Sequence, residues 1–384
     1  MTGVSIIGVG MTEFGERWDK GLRDLMVEAG VKATIDSGVD GPDIEAVYGG
    51  CMSAGRLTGQ EHIGALIADQ SGLNPIPATR VEAACSSGGL ALREAILSIL
   101  SGEHKVVIAG GVEKMSDVDV SQVATTLGGA ADVEWESALG ATFPALYALI
   151  ARRHMHEYGT TEEQMAAVAV KNHENGHLNP YAQYQYKVTL EQVMNSPPVA
   201  EPLKLLDCSP VTDGAAAVIL ARDDVAKKFT DTPIRILATA QASDALSLHD
   251  RASITELRAT KIAAKHAFER AKLSPKDIDV AEVHDCFTIA EILAIEDMGF
   301  FKKGLGGKAT EDGLTKRGGQ VSVNTSGGLK ACGHPVGATG IKQAVEIAWQ
   351  LRGEAGKRQV PCEIGLTHNV GGSGATCVMH ILSK

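Results

Sequence analysis

The sequence predicts an α/β protein with mixed, largely parallel sheets, assembled from two diverged copies of one unit. Strand-like runs alternate with helical patterns: the apolar run at 106–111, for example, follows a helical pattern at 87–101. Glycine accounts for 43 of the 384 residues and aromatic residues for only 4%. Because small residues let helices lie close to a sheet, this composition favours α/β layering. Hydrophobic residues at 44% and charged residues at 22% exclude a disordered or collagen-like chain.

Two pairs of matching segments indicate the duplication. Segments 38–48 and 272–282 share turn residues, a proline, an Asp-Ile pair and an apolar strand. The ACSSGG motif at Cys85 and the helical pattern after it match GHPVGA at His334 and its own helical pattern. Two copies of one α/β unit explain both matches.

The two copies are predicted to occupy residues 1–225 and 230–384. The first copy is the longer one, and its surplus falls at about 115–205, a polar stretch rich in histidine and tyrosine with a helical core. We interpret this stretch as an insertion over the active site, although a plain surface excursion explains any one of its residues equally well.

Charge and cysteine content restrict the class of function and the compartment. The formal net charge of -11 argues against a nucleic-acid-binding surface. The seven cysteines form no C-x-x-C pair or Cys/His cluster, so neither a metal site nor a disulfide framework is expected, and a reduced, cytoplasmic setting fits best. No apolar run approaches the roughly 18 residues of a membrane span. The start, MTGVSIIGVG, is typical of a first strand and not of a signal peptide, and the final Leu-Ser-Lys is not the peroxisomal Ser-Lys-Leu.

Cys85 is the first candidate for chemistry. It closes an apolar, strand-like stretch, and Ser86–Ser87 then cap a helix whose apolar positions predict deep burial. A cysteine at a helix N-terminus feels the helix dipole and nearby amide donors, which favour the thiolate. The adjacent glycines allow other backbone to approach closely, as a nucleophile at the end of a narrow tunnel requires. A buried, unreactive cysteine would give the same local pattern.

Three further segments carry polar or amide groups suited to catalysis. His284, Asp285 and Cys286 follow a buried strand, and α/β folds place their chemistry at the carboxyl ends of strands. His334 is held by a proline between glycines ahead of another helix, although a lone histidine of this kind is more often structural. In GLTHNVGGSGATCV a strand runs into Gly371–Gly372, whose bare amides could form an oxyanion hole.

Together these segments provide a thiol nucleophile, two imidazoles, a second thiol and glycine amides, the set that formation of an acyl-enzyme needs. Over essentially the whole chain the sequence resembles thiolases. ACSSGG is similar to their nucleophile motif, GHPVGATG to their C-terminal histidine motif, and LLDCSPVTDGAAAVIL to the stretch that closes the N-terminal half.

Within that superfamily the chain resembles the sterol-carrier-protein type and its short bacterial and archaeal relatives. These carry HDCF where ordinary thiolases have Asn-Glu-Ala-Phe, and residues 284–287 spell HDCF here. We expect no appended sterol-carrier domain, because the chain ends where the thiolase fold should end.

The resemblance implies a thiolase fold, with two pseudo-symmetric α/β halves in a layered αβαβα arrangement. It also implies a homodimer, or a dimer of such dimers, held through one sheet edge of each N-terminal half. Coenzyme A thioesters are the implied substrates, with no permanently bound cofactor and no metal. No motif marks the residues that contact coenzyme A, and the basic Arg152, Arg153 and Lys187 in the insertion are candidates only.

The implied reaction is the reversible Claisen condensation of acetyl-CoA to acetoacetyl-CoA, or thiolysis of a 3-ketoacyl-CoA. Cys85, activated by His334, attacks the thioester and becomes acylated. Cys286 then removes a proton from the methyl group of a second acetyl-CoA, and the enolate attacks the acyl group. His284 and His334 are expected to hold the enolate oxygen, and the amides of Cys85 and Gly371 the oxygen of the tetrahedral intermediate.

One position departs from the thiolase pattern. Ordinary thiolases begin a C-x-G-G motif in the last loop with their second catalytic cysteine, whereas Asn369 occupies that position here. A carboxamide has no usable proton equilibrium near neutral pH, so the acid/base must lie elsewhere. Cys286 in HDCF is the substitute that the family implies, and its pKa, about 8.5 for a free thiol, could be lowered by His284 and His334. Cys332 lies closer to that loop in sequence, but it is more simply explained as a buried residue before a helix.

Three alternatives stay open. A ketoacyl synthase also uses one cysteine and two histidines, which Cys85, His284 and His334 satisfy, but Cys286 beside His284 and the Gly-His-Pro context favour a thiolase. A hydroxymethylglutaryl-CoA synthase needs a catalytic glutamate, and no glutamate here lies in a matching motif. The third alternative is a non-catalytic thiolase-like subunit that binds acyl-CoA or a lipid, and the complete set of four residues argues against it.

The resemblance also implies a partner. Short relatives of this type act with a small protein that carries a zinc ribbon and an OB-fold, in some cases beside hydroxymethylglutaryl-CoA synthase, the next condensing enzyme. Such a complex would pull an uphill condensation forward. Many relatives act alone, so a self-sufficient homo-oligomer is the alternative. No nucleic acid or membrane is expected as a partner.

Overall fold

The computed structural model describes residues 3–384. Its strands are β1 (Val4–Met11), β2 (Ala46–Gly50), β3 (Ala78–Val81), β4 (Val106–Glu113), β5 (Pro198–Ala200), β6 (Leu203–Lys204), β7 (Gly214–Arg222), β8 (Ile234–Ser243), β9 (Val280–Glu282), β10 (Ser322–Val323), β11 (Ile364–Gly371) and β12 (Thr376–Ser383). Its α-helices are α1 (Leu22–Ser37), α2 (Ala54–Thr58), α3 (Ile63–Gln70), α4 (Ser87–Leu100), α5 (Val120–Gly128), α6 (Phe143–Tyr158), α7 (Glu162–Gly176), α8 (Leu190–Met194), α9 (Asp223–Ala226), α10 (Arg258–Ala271), α11 (Thr288–Asp297), α12 (Gly306–Glu311), α13 (Gly328–Cys332) and α14 (Thr339–Arg352).

Ten strands form one sheet in the order β10-β9-β11-β12-β8-β1-β7-β4-β2-β3, and β5 and β6 form a separate pair. The ten strands divide into two groups of five, because β1 and β8 pair only through Ser5 with Arg235 and Ile6 with Ile234. The first group comes from residues 4–222 and the second from the chain after them.

The two groups have the same internal pattern. In the first, β3, β2 and β4 are parallel, whereas β7 is antiparallel to both β4 and β1. In the second, β10, β9 and β11 are parallel, whereas β12 is antiparallel to both β11 and β8. The predicted pseudo-symmetric duplication and the mixed sheets are confirmed, while the residue boundaries given for the two copies stay predictions.

Helices α4 and α14 form a central layer between the two groups of strands. Helix α4 packs on β2 and β4 and also contacts β8 and β12, while α14 packs on β11, on β7 and on α4 itself. Nearly every residue of α14 is buried, as expected for a helix covered on all sides. Helices α1 and α3 cover the outer face of the first group, and α10 covers that of the second. The αβαβα layering is confirmed.

The first turns of α4 and α14 approach each other at glycines. A Cβ atom on Gly88 would lie 2.6 Å from the carbonyl oxygen of Gly337, and one on Gly340 would lie 2.1 Å from the amide nitrogen of Gly89. Any side chain at either position would therefore separate the two helices. Their close approach brings the loops that carry Cys85 and His334 to the same point in the centre of the molecule.

The stretch between β4 and β7 holds α5 to α8 and the β5–β6 pair. Helix α7 packs on α11, α12 and α13 of the second half. Within this contact Lys171 Nζ lies 2.9 Å from Glu291 Oε1, and both side chains are buried. The stretch therefore bridges the two halves and is anchored at its centre by a buried ion pair.

Asp213 fixes the start of this stretch to the strand that follows it. Its Oδ2 lies 2.7 Å from Lys114 Nζ, and its Oδ1 accepts hydrogen bonds from the amides of Met115 at 2.6 Å and Ser116 at 2.9 Å. The Arg17 amide donates to Oδ2 at 2.8 Å. Lys114 and Asp213 are both buried, so neither charge has water as a substitute partner.

Asp213→Asn is expected to lower the free energy of unfolding by about 1–3 kcal/mol, because it removes the buried carboxylate partner of Lys114 and leaves that ammonium with the half-exposed carboxylate of Asp117, 2.7 Å away, as its remaining charged partner. The matched control is Asp224→Asn: the Asp224 carboxylate pairs with Arg222 at an exposed position, so its loss should leave the free energy of unfolding nearly unchanged. Urea unfolding followed by circular dichroism measures both. Equal midpoints for the two variants would show that the Lys114–Asp213 pair does not stabilise the fold.

All seven cysteines are free thiols, and five of them are buried. In the part of the chain that the structure describes, no helix has both the length and the hydropathy needed to cross a membrane. Cys332 is fully buried in the core between the layers, where its Sγ accepts a hydrogen bond from Asn179 Nδ2 at 3.6 Å.

Candidate active site

Cys85 lies in a tight turn between β3 and α4. The turn needs a left-handed residue, and Ala84 supplies it with φ of 52°. Non-glycine residues rarely adopt this conformation, and such strain concentrates at functional sites. Ser87 stabilises the turn, since its Oγ accepts a hydrogen bond from the Ala83 amide at 2.9 Å and donates one to the Ala84 carbonyl at 2.6 Å. The thiol is thereby presented at the first turn of α4.

The thiol opens into a cavity of about 170 Å³, here called the central cavity. Cys286 and His334 line the same cavity, together with Tyr147 and Gly372. Most of the remaining wall is apolar. Val336 contributes from the loop that carries His334, and α5, α6 and the segment before α5 contribute Met115, Val120, Val123, Leu127 and Phe143. Cys332 does not reach the central cavity.

The structure brings the predicted catalytic residues together. Cys85 Sγ and one ring nitrogen each of His284 and His334 all lie within 4.8 Å of one another. The two imidazole rings meet edge to face, with centroids 5.0 Å apart and planes at 85°. Cys286 follows His284 by two residues and reaches the same cavity from a third loop. His284 itself lies just behind the cavity wall and is buried.

Thr339 sets the tautomer of His334. Its hydroxyl donates to the Pro335 carbonyl at 3.0 Å and therefore accepts from His334 Nδ1–H, 2.7 Å away. This leaves Nε2 of His334 with a free lone pair. Burial, and secondarily the charge of Lys342, lowers the pKa of His334 to about 3. The ring is neutral at rest and can act as a base.

Thr339→Val is expected to slow alkylation of Cys85 by iodoacetamide about 10- to 100-fold at neutral pH, because His334 loses the bond that orients its ring and stabilises its protonated form. Valine has nearly the same shape as threonine, so the buried position should stay filled. Thr339→Ser retains the hydroxyl and serves as the control, with a rate near that of the wild type. Mass spectrometry of the Cys85 peptide over time gives the rates, and a Val variant as fast as the Ser variant would contradict this role.

Asn369 fixes the tautomer of His284. The Gly89 amide donates to Asn369 Oδ1 at 3.1 Å, which leaves Asn369 Nδ2 to donate to the Cys85 carbonyl at 3.0 Å and to His284 Nδ1 at 3.3 Å. His284 Nδ1 is therefore an acceptor, and the ring proton is on Nε2. Within residues 3–384, that Nε2 has no hydrogen-bond partner. It is a buried donor available to a substrate oxygen.

Asp285 fixes the HDCF loop to α13, the short helix before the loop that carries His334. Its Oδ1 accepts from the Leu329 amide at 2.6 Å, and its Oδ2 accepts from the Lys330 amide at 3.2 Å and from Asn172 Nδ2 at 2.7 Å. Burial, with the neighbouring Glu291, raises the pKa of Asp285 to about 7. The carboxyl group points away from the central cavity into this network, so it positions its neighbours.

The Cys85 and Cys286 thiols are harder to ionise than the sequence suggested. Burial raises the pKa of Cys85 to about 12, although an N–H of Gly372 bonded to the sulfur opposes the shift. Burial, and then the nearness of Cys85, raises the pKa of Cys286 well above its usual range. The expected lowering by the helix N-terminus and by the two histidines is wrong, because burial dominates and buried, neutral imidazoles carry no charge to stabilise a thiolate.

Of the glycines predicted as amide donors and the basic residues proposed to contact coenzyme A, only one glycine lines the central cavity. Gly372 lines the central cavity and contacts the Cys85 thiol, while Gly371, which precedes it, stays a predicted oxyanion donor together with the Cys85 amide. Arg152, Arg153 and Lys187 are exposed and do not line the cavity. Arg153 Nε instead pairs with Glu157 at 2.6 Å.

Comparison with known proteins shows the family. The family description "Thiolase, N-terminal domain" matches residues 4–224, and "Thiolase C-terminal domain-like" matches residues 240–384. The chain belongs to the thiolase family. The roles of Cys85, His284, Cys286 and His334 in this thiolase stay predictions.

Two relatives and one solved structure show which proteins the chain is similar to. It is 60% identical, over the full length of both chains, to a protein of Methanothermobacter thermautotrophicus named acetyl-CoA acetyltransferase. It is 37% identical to sterol carrier protein 2 of Bos taurus, over 98% of this chain and 71% of that protein. A solved structure described as an Ltp2-ChsH2(DUF35) aldolase superposes with a TM-score of 0.86 at 26% identity, covering 99% of this chain and 97% of the other. The predicted likeness to the sterol-carrier-protein type and its archaeal relatives is confirmed.

Sequence reasoning missed Tyr147 and Thr339, whereas it did name Gly372 with Gly371 as a source of amide donors. Thr339 follows His334 by five residues within GHPVGATG, so the motif itself contained the signal. Tyr147 lies inside a helix of the insertion, where nothing in the local pattern separates a cavity residue from a core residue.

Proposed function

We propose that this thiolase is an acetyl-CoA C-acetyltransferase, which condenses two acetyl-CoA molecules or cleaves a 3-ketoacyl-CoA with coenzyme A. The observation that carries the proposal is that the Cys85 and Cys286 thiols line one cavity beside the neutral imidazoles of His284 and His334. The name of the Methanothermobacter relative supports the choice of acetyl-CoA. Coenzyme A thioesters are substrates in this scheme, and no permanently bound cofactor takes part.

In the first half-reaction His334 Nε2 takes the Cys85 proton, and the thiolate attacks the thioester carbon. The amides of Cys85 and Gly371 hold the oxygen of the tetrahedral intermediate, and removal of one such donor typically costs about 10²–10³ in rate. The coenzyme A thiolate leaves with the proton of Cys286. The products of this step are acetyl-Cys85, a protonated His334 and a Cys286 thiolate.

These products are the groups that the second half-reaction needs. The Cys286 thiolate removes a methyl proton from the second acetyl-CoA, and the enolate oxygen accepts hydrogen bonds from His284 Nε2–H and from protonated His334. The enolate carbon then attacks acetyl-Cys85. Cys85 leaves as a thiolate and recovers its proton from His334, so every group returns to its starting state.

The same cavity bears on the other candidate functions. A ketoacyl synthase has no use for a second thiol, and Cys286 lies in the cavity wall. In the described chain no glutamate lines the cavity, which disfavours a hydroxymethylglutaryl-CoA synthase. A non-catalytic binding subunit would not need tautomers held by Thr339 and Asn369. These observations support the thiolase reaction over all three.

The test is a thiolysis assay with acetoacetyl-CoA and longer 3-ketoacyl-CoAs, combined with mass spectrometry of the Cys85 peptide after incubation with acetyl-CoA. We expect acetyl-CoA as the product and one acetyl group on Cys85. Condensation that depends on a malonyl-carrier protein would indicate a ketoacyl synthase. Binding of acyl-CoA without acylation of Cys85 would indicate a binding subunit.

The proposal extends to assembly and location. β3 is the last strand at one edge of the sheet and pairs only with β2, so its outer edge is available for a second copy in a homodimer, which could pair again into a tetramer. The DUF35 protein named in the similar aldolase structure supports a small partner protein. We propose that this partner is the zinc-ribbon and OB-fold protein that the resemblance implies, and that hydroxymethylglutaryl-CoA synthase lies beside it. Seven free thiols suit a reducing, cytoplasmic location. Size-exclusion chromatography of the native protein tests this assembly, and a fully active, isolated homodimer would contradict the partner.

A further inference from the structure

Tyr147 is the one tyrosine in the wall of the central cavity. It lies on α6, in the stretch between β4 and β7, and is 1% exposed. Its ring packs against Phe287, with centroids 4.7 Å apart, and Phe287 directly follows Cys286. Cys208 lines the same cavity, and its backbone forms an isolated antiparallel β-bridge with the backbone of Phe287. The phenol ring is therefore held beside the HDCF loop and is buried in the cavity wall.

The hydroxyl of Tyr147 has two acceptors within reach. It donates to the Gly372 carbonyl at 3.2 Å in the structure as described. It also faces the Cys286 sulfur closely enough for a side-chain hydrogen bond, which opposes the rise in the pKa of Cys286. A phenol has a single proton, so it donates to one acceptor at a time. Rotation about the C–O bond exchanges the two.

Proton abstraction requires Cys286 to carry a negative charge in a cavity that disfavours it. Around the sulfur the titratable or charged groups are Cys85 from the turn before α4, His334 from the loop before α14, and Asp285 from its own loop. The positive charge of Arg251, in the loop after β8, lies near Tyr147. Its guanidinium already donates hydrogen bonds to the carbonyl and the hydroxyl of Ser373, at 2.7 and 3.0 Å. Of these side chains, Tyr147 is the one whose neutral hydroxyl can donate a hydrogen bond to the sulfur while keeping its own proton.

We propose that the Tyr147 hydroxyl turns from the Gly372 carbonyl to the Cys286 sulfur when that thiol ionises, and that its hydrogen bond stabilises the thiolate during proton abstraction. The inference rests on the proposed function, because it assigns a helper to the acid/base of that reaction. No proton is transferred by Tyr147: the phenol stays neutral, and the proton of Cys286 goes to the departing coenzyme A thiolate. Tyr147 touches a reacting atom and so belongs to the catalytic set.

The experiment measures the ionisation of Cys286 directly. The full-length wild type and Tyr147→Phe are treated with iodoacetamide across a pH series, and the Cys286 peptide is quantified by mass spectrometry. The variant loses a hydrogen bond to the charged Cys286 thiolate. Iodoacetamide should therefore alkylate its Cys286 about 10- to 100-fold more slowly than that of the wild type at each pH below the plateau of the rate. Deuterium exchange into the methyl group of acetyl-CoA should fall by a similar factor.

Tyr158→Phe is the matched control. Tyr158 lies on the same helix, is 41% exposed and does not line the central cavity, so the same substitution should leave both rates unchanged. Phenylalanine at 147 keeps the ring stacked on Phe287, and an unchanged melting temperature would show that the fold is retained. If Tyr147→Phe does not fold, 3,5-difluorotyrosine at position 147 provides a second test of the hydrogen bond. Its hydroxyl is a stronger donor, so it should stabilise the Cys286 thiolate further and speed its alkylation.

The inference can fail separately from the proposed function. Alkylation of Cys286 needs no turnover, so an unchanged pH profile in Tyr147→Phe overturns the inference even if the wild type is a fully active thiolase. An unchanged rate with difluorotyrosine overturns it as well. Conversely, a shifted alkylation profile in a protein without thiolysis activity would support the hydrogen bond and contradict the proposed function.

Discussion

Cys85→Ala is expected to abolish both condensation and thiolysis, with a loss of at least about 10⁴-fold in kcat, since removing a nucleophile that works as a unit with its base removes nearly all of the chemical step. Alanine fits the turn before α4 without new contacts, because the thiol occupies the edge of a cavity. The melting temperature should therefore be near that of the wild type.

The control for this variant is Cys362→Ala. Cys362 is only half-buried and does not line the central cavity, so its loss should leave turnover intact. Assays of thiolysis and of condensation on both variants give the comparison. Turnover by Cys85→Ala within tenfold of the wild type would show that the nucleophile is misassigned.

Cys286→Ala is expected to separate the two half-reactions. The variant should still acquire an acetyl group on Cys85, though more slowly, because the departing coenzyme A thiolate loses its proton donor. It should fail to exchange deuterium into the methyl group of acetyl-CoA and fail to condense, with losses of at least about 10²-fold that match removal of a general base. The measurements are the mass of the Cys85 peptide and the isotope content of recovered acetyl-CoA.

Cys332→Ala is the informative control for Cys286→Ala. Both cysteines are buried, and both precede or follow a catalytic histidine by two residues. Cys332 contacts Asn179 in the core and does not reach the cavity, so its variant should acylate, exchange and condense nearly normally. If the two variants behave the other way round, the acid/base comes from the Cys-Gly-His-Pro loop and HDCF has another role.

The internal repeat predicted more of the site than any single motif did. Segments 38–48 and 272–282 lead into β2 and β9, which lie between two parallel neighbours in their respective halves. The turns at Cys85 and His334 precede α4 and α14, the two central helices. Because these helices meet at glycines, the two turns that occupy equivalent positions in the repeat lie next to each other in the structure. The four predicted catalytic residues therefore lie close together, as expected.

The electrostatics of the site could not be predicted in the same way. A helix N-terminus is a local feature that the sequence shows, and it favours a thiolate at Cys85. Burial depends on α5 and α6 closing over the turn from far along the chain, and it raises the pKa of Cys85 instead. Tyr147 was missed for the same reason, since its role exists only because α6 lies against the HDCF loop.

The separate roles of Cys85 and Cys286 are tested most directly by one measurement on the wild type and Cys286→Ala: the mass of the Cys85 and Cys286 peptides after brief incubation with acetyl-CoA and acid quenching. We expect one acetyl group on the Cys85 peptide in both proteins and none on the Cys286 peptide of the wild type. An acetyl group on Cys286, or an unmodified Cys85 in an actively condensing enzyme, would contradict the assignment of nucleophile and acid/base.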